Sequence, residues 1–170
     1  MKDAAIEAVI AIGQSAPSFS AQADDGRVVT LESLRGRSVV LYFYPKDDTP
    51  GCTTEACELR DAFPRFEGVD ATIIGVSPDS VASHAKFKKK YSLPFTLLAD
   101  VDRKIADAYG VWKKKSLYGR TFLGIERSTF VIDPTGVITH VWHKVKAKGH
   151  AAQVEAALQG SSAPRHIKAP

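Results

Sequence analysis

Hydrophobic positions along the chain fall into short blocks whose spacing alternates between that of a strand and that of a helix. Val39–Tyr44 (VVLYFY) and Thr72–Val76 (TIIGV) are continuous apolar runs, too short to cross a bilayer and of the length of central strands covered on both faces. Strands are predicted over Val28–Leu31, Val39–Tyr44, Ala71–Ser77, Thr96–Leu98, Ser128–Ile132 and Val137–Trp142. Helices are predicted over Cys52–Phe66, Asp79–Tyr91, Arg103–Tyr109 and His150–Leu158. Asp25-Gly26 closes an early hairpin, and Asp133-Pro134-Thr135-Gly136 makes a turn that joins the last two strands as an antiparallel pair. A β-α-β unit, a further helix, a terminal hairpin and a covering helix give an α/β fold with a mixed central sheet flanked by helices. That order is the thioredoxin-like arrangement, here with an N-terminal β-hairpin extension. Residues 11–160 are expected to form this one domain, residues 1–10 an extension, and residues 161–170 a polar, proline-bearing tail that frays.

Composition narrows the class. Hydrophobic residues make up 44% and charged residues 25% of 170 positions, a globular balance. The net charge of +4 comes from lysine clusters at Lys88–Lys90 and Lys113–Lys115 and from a basic C-terminal stretch. No helix-turn-helix, zinc-finger or aromatic-basic motif accompanies them, so they read as solvated lysine faces and nucleic acid is not an expected partner. The apolar-leaning stretch Ala4–Ile12 is interrupted by Glu7, and no small-residue cleavage site follows it. The expected location is therefore the cytoplasm, with no membrane partner. His140 and His143 lie three apart in a strand pattern and point to opposite faces, which makes a poor metal pair. Neither a phosphate-binding glycine loop nor a GxSxG elbow occurs, so no metal and no cofactor is expected. Trp112 and Trp142 read as core or rim aromatics.

The chemistry concentrates in one segment. The apolar strand ends at Tyr44; Pro45, Pro50 and Gly51 force an irregular loop; and a helix begins at about Cys52. Open α/β sheets place sites at the carboxyl ends of central strands. A thiol at a helix N-terminus faces unpaired N–H groups and a partial positive charge. Only one other cysteine, Cys57, occurs in the chain, which excludes a multi-bridge scaffold. Pro45-x-x-x-Thr49-x-x-Cys52 resembles the peroxidatic motif of the peroxiredoxins. FYPKDDTPGCTTEACELRD, with GIERSTFVID downstream, is similar to the peroxiredoxin Q (bacterioferritin comigratory protein) branch over about residues 11 to 158.

The resemblance implies a thiol peroxidase that reduces hydrogen peroxide and organic hydroperoxides. In that reading Cys52 is the peroxidatic thiol and becomes a sulfenic acid. Thr49 bonds the thiolate and the peroxide, Pro45 shields the sulfur, Arg127 is the active-site arginine, and Cys57 resolves the sulfenic acid as an intramolecular disulfide. Thioredoxin or a similar dithiol is the implied reductant. Because the resolving thiol is on the same chain, a monomer is expected. Glu55, in the first helical turn, is assigned no catalytic task, and Lys46, Asp47 and Asp48 read as solvated loop residues. Lowering a thiol pKa from about 8.5 to about 6 raises the thiolate fraction roughly 30-fold at neutral pH but costs roughly 13-fold in nucleophilicity. Donors aimed at the peroxide oxygens must therefore supply most of the acceleration. A thiol-disulfide oxidoreductase is the alternative on the same fold, but the spacing is CxxxxC and Glu126-Arg127-Ser128 stands where that class carries a cis-proline. A basic binding module with incidental cysteines is the non-enzymatic alternative. Rapid consumption of peroxide separates the first reading from both.

Overall fold

In the computed structural model, which describes residues 10–160, the apolar run Ser38–Phe43 is the strand around which the sheet is built. The expected tail (161–170) and all of the expected extension but Ile10 lie outside the described residues. In chain order the elements are β1 (Ser20–Ala23), β2 (Val28–Thr30), β3 (Ser38–Phe43), α1 (Pro50–Gly68), β4 (Ala71–Ser77), α2 (Val81–Tyr91), β5 (Thr96–Ala99), α3 (Lys104–Ala108), β6 (Trp112–Leu117), β7 (Arg120–Ile125), β8 (Ser128–Ile132), β9 (Ile138–Trp142) and α4 (His150–Gln159). One sheet runs β9-β8-β3-β4-β5-β1-β2; β6 and β7 form a separate two-stranded ribbon. Strands β3, β4 and β5 are parallel, with α1 and α2 as crossovers, while β8 and β1 pair antiparallel on either side. This is the thioredoxin-like mixed sheet that the element order predicts.

The period of two within the continuous run of β3 divides its side chains between two cores. Leu41 and Phe43 pack with Ile74, Val76, Tyr109 and Phe130 on one face. Val40, Tyr42 and Tyr44 pack with Cys52, Leu59, Phe66 and Phe87 on the other. Gly75 on β4 is what admits the Tyr42 ring, since a Cβ there would stand 3.0 Å from it and 2.8 Å from Leu97. The Asp133 turn closes as expected, with Gly136 N–H on the Asp133 carbonyl (2.9 Å) and Thr135 N–H on the Asp133 carboxylate (2.9 Å).

Several boundaries differ from the sequence reading. Helix α1 begins at Pro50 rather than Cys52, because a proline with its fixed φ and no N–H suits the first helical position. Helix α2 begins at Val81 rather than Asp79, where the Ser80 hydroxyl caps the Ser83 N–H. The strand β1 (SAQA) has no β-branched residue to announce it and is held by pairing with β2 and β5. The ribbon β6–β7 occupies what reads in sequence as a lysine cluster. Tyr118 and Gly119, both at positive φ (53° and 77°), form its two-residue turn.

Candidate functional site

The carboxyl end of β3 delivers the chain into the loop 45–49, and Thr49 then caps α1 in an extended conformation. Starting the helix at Pro50 puts Cys52 within the first turn, where the backbone N–H groups have no helical partners. The thiol is buried, at 2% exposure, against the sheet core that holds Tyr42 and Tyr44. Cys57 is half-buried farther along the same helix, and both thiols are free.

Arg127 reaches this thiol from the connection between β7 and β8, one residue before β8 starts. It is far from an exposed edge charge: its side chain is 16% exposed. Its Nη2 lies 3.4 Å from Cys52 Sγ and its Nη1 donates to Glu55 Oε1 at 2.6 Å. Gly51 leaves the room for this approach, since a Cβ on it would sit 3.2 Å from Nη2.

Glu55, which the sequence reading leaves without a task, is fully buried and forms the other half of the arginine's hold. One helical turn separates it from Cys52, so both side chains fall on the inward face of α1. Burial pushes its carboxyl up to about 7, against the opposing pull of the Arg127 guanidinium. Its second oxygen, Oε2, is buried with no partner among the described residues.

Neither Thr49, the N-cap of α1, nor Pro45, at the start of the loop, makes a hydrogen bond to the thiol. The Thr49 hydroxyl donates to the Lys46 carbonyl at 2.9 Å, so its proton is committed and its lone pairs remain open. Half-buried Pro45 borders a groove of about 700 Å³ that Arg127, Lys113, Lys114, Lys115 and Lys144 also line. The lysines of the β6 cluster are thus not simply a solvated face: Lys113 lies 3.6 Å from Glu126 and Lys115 donates to the Ile125 carbonyl at 2.7 Å. Likewise Lys88 pairs with Asp24 at 3.1 Å and Lys90 with Asp48 at 2.8 Å.

The loop contains a further correction. Lys46 and Asp48 are exposed as expected, but Asp47 is buried. Its carboxylate accepts from Tyr44, Ser83 and His84 at 2.6 to 2.7 Å. Asp47, Asp79 and His84 bring potential ligand atoms within 4.8 Å of one another. Those atoms are engaged in hydrogen bonds with Ser77, Ser83, Tyr44 and the Leu98 carbonyl, which leaves a hydrogen-bonded cluster rather than a set of free donors. Neither the loop spacing nor the helix pattern singles out His84; its position four residues past the cap of α2, facing the sheet, is the only sign. His140 is buried and stacks on Trp142 at 5.7 Å, and His143 sits 3.4 Å from Glu126, so the two histidines serve separate surroundings.

The sequence model of the AhpC/TSA family matches residues 12–141. Peroxiredoxin Bcp of Bacillus subtilis is 52% identical over 153 residues, covering 90% of this chain and 98% of that protein. Putative peroxiredoxin bcp of Coxiella burnetii is 50% identical over 145 residues, with 85% and 96% covered. Among solved structures, Xanthomonas campestris peroxiredoxin Q superposes with a TM-score of 0.84 at 42% identity, over 92% of this chain and 99% of its own. A structure of the bacterioferritin comigratory protein of the same organism, described for its alkyl peroxide reduction activity, superposes at a TM-score of 0.82 and 42% identity over 91% and 98%. By these matches the chain belongs to the AhpC/TSA family, among its Bcp and peroxiredoxin Q members, and is a thiol peroxidase.

Proposed function

We propose that Cys52 is the attacking thiol and Cys57 the resolving one. The observation that carries this reading is the single guanidinium that faces the Cys52 sulfur at 3.4 Å while Glu55 holds its other arm at 2.6 Å. The thiolate attacks the nearer peroxide oxygen, the O–O bond breaks, and the departing alkoxide or hydroxide leaves as alcohol or water once protonated. Arg127 donates to the reacting oxygens and offsets the charge that develops there. The Thr49 hydroxyl, which donates to the Lys46 carbonyl, accepts a hydrogen bond from the peroxide O–H and so orients the substrate; that proton stays on the oxygen transferred to sulfur, and the released alkoxide or hydroxide takes its proton from water. Pro45 keeps water from the sulfur side of the groove. No cofactor enters this cycle.

Cys57 thiolate then displaces hydroxide from the Cys52 sulfenic acid, giving a disulfide and water. In unbroken helix the two positions are five residues apart, or about 8.6 Å between Cα atoms. A disulfide needs about 4.4–6.8 Å, so the first turns of α1 unwind before closure. A dithiol reductant of the thioredoxin kind returns both thiols. The chain acts as a cytoplasmic monomer with neither nucleic acid nor lipid as a partner, and no helix among the described residues is long and apolar enough to cross a membrane.

Stopped-flow titration of the reduced protein with hydrogen peroxide and with an alkyl hydroperoxide tests this assignment. Cys52→Ser is expected to consume none, and Cys57→Ser one equivalent before stalling at the sulfenic acid and advancing to sulfinic acid. Parental turnover by Cys52→Ser would overturn it.

A further inference from the structure

The loop between β3 and α1 is gripped from one side only. The Asp47 carboxylate, 8% exposed, accepts from Tyr44 Oη at 2.6 Å, Ser83 Oγ at 2.7 Å and His84 Nδ1 at 2.7 Å. Its backbone N–H donates to Asp79 Oδ2 at 2.8 Å, and that oxygen also accepts from Ser77 Oγ at 2.6 Å. His84 has no exposed surface, and its Nε2 faces the Leu98 carbonyl at 2.9 Å. The ring therefore meets an acceptor at each nitrogen and links β5 to the loop. Asp48, in the left-handed region at φ +58°, is held by Lys90 Nζ and Tyr91 Oη, both at 2.8 Å. Buried charge-assisted bonds of this kind are among the more expensive to break.

Beyond Asp48 the hold is different. Thr49 to Cys57 is kept in place by the helix itself, by the Thr49 hydroxyl on the Lys46 carbonyl (2.9 Å), by the Thr53 N–H on the Thr49 carbonyl (2.8 Å), by the burial of Cys52, Glu55 and Ala56, and by Arg127. Oxidation disturbs the last of these, because the sulfur that Nη2 faces at 3.4 Å gains an oxygen when it becomes a sulfenic acid. The chain thus passes within two residues from a segment locked onto α2 to one that the reaction itself loosens.

Resting on the assignment of Cys52 and Cys57 above, we propose that the buried Asp47–His84 pair is the fixed end of the segment that unwinds. It is a positioning pair: it holds Thr49 and the first turn of α1 against Arg127, and so sets the balance between peroxide attack and disulfide closure. With the pair intact, the folded turn is favoured, attack is fast and closure waits on unwinding. With the pair broken, the turn is loose from both ends, so attack slows and closure quickens.

The two rates are read separately, by stopped flow for peroxide attack and by rapid acid quench with mass spectrometry for closure and for sulfinic acid. His84→Asn places an amide nitrogen near Nδ1 and keeps the donor to Asp47, whereas His84→Gln reaches toward the Leu98 carbonyl and leaves Asp47 short of one. Asp47→Asn and His84→Gln are expected to slow attack about tenfold, the order of one charge-assisted hydrogen bond, to speed closure severalfold, and to accumulate less sulfinic acid at the same peroxide excess. His84→Asn should recover most of the parental ratio of the two rates. Ser83→Ala, at a half-buried position, should shift the ratio in the same direction by less, and with Asp47→Asn it decides the matter if a His84 variant does not fold. Rates that fall together, rates that do not move, or a His84→Gln variant nearer the parent than His84→Asn would overturn the proposal. The underlying assignment fails by a separate sign: no Cys52–Cys57 bridge in the oxidised parent.

Discussion

Arg127 divides its guanidinium between a sulfur and a carboxylate, and each arm has its own consequence. Replacing it by Ala removes the donor proposed to meet the reacting oxygens, and one such donor is typically worth about 10²–10³ in rate. Thr49→Val should slow attack in the same step without removing charge. The bimolecular rate with peroxide, measured by stopped flow, checks both. The carboxylate arm acts on stability. The folded-state value of about 7 for Glu55 lies above its ordinary 4.5, so between these values the folded chain holds a proton that the unfolded chain has released. Stability therefore falls as pH rises through that window, by on the order of 3 kcal/mol once it is crossed. Glu55→Gln keeps an acceptor for Nη1 but removes the titration. Urea denaturation of the reduced protein should show a flatter pH profile for the variant between pH 5 and 8 and a gain over the parent at pH 8. Sequence legibility was uneven here for a physical reason. Cys52, Thr49 and Pro45 form a local motif, and Arg127 carries a local signature of its own. Glu55 and Asp47 owe their roles to burial by α2, the sheet and the arginine, and burial of an acid is invisible when acids ordinarily face water.

Helix α1 combines a body anchored by packing with a first turn held by the buried Cys52 and by Arg127. Leu59, Ala62 and Phe66 are buried against the sheet, and the Glu58 carboxylate accepts from the Gly149 N–H at 2.9 Å while Arg65 meets Glu155 at 2.6 Å. Unwinding on oxidation should accordingly stop before Leu59. Amide exchange across residues 50–57 is expected to rise sharply in the disulfide form while residues 59–66 keep their protection. Gly51 permits a sharper test of this element. Gly51→Ala gains helix propensity, worth up to about 1 kcal/mol, but its Cβ would crowd Arg127 Nη2 at 3.2 Å. The variant should be more stable to urea in the reduced state, slower with peroxide and slower to close the disulfide. Among the elements, the central strands and long helices were legible because their apolar runs and caps are local. The ribbon β6–β7 was not: Lys113, Lys114 and Lys115 dominate its pattern, and Leu117, Tyr118, Phe122 and Leu123 stay exposed, so no buried face announces a strand.

At the scale of the whole molecule, the two thiols proposed to react sit on one helix, so oxidised protein should run as a monomer on a non-reducing gel with an internal bridge, and a dominant disulfide-linked dimer would contradict this. The mixed sheet itself followed from the element order, since parallel strands need helical crossovers and the Asp133 turn allows only an antiparallel return. One buried side chain extends the consequences to the electron balance of the whole enzyme. In the proposed closure of the disulfide the first turns of α1 unwind, and Glu55 would pass from a site that holds its carboxyl near pH 7 into water and release its proton. Reducing the bridge takes that proton back. For a two-electron couple each proton so linked adds about 30 mV per pH unit to the slope of the midpoint potential. The parent's potential should fall more steeply with pH than that of Glu55→Gln by this amount between about pH 4.5 and 7, and in parallel with it above. Redox titration against a dithiol buffer at several pH values measures the difference. Mild acidification would then make the oxidised enzyme easier to reduce, so a carboxylate that takes no part in bond breaking ties the enzyme's recovery to the acidity around it.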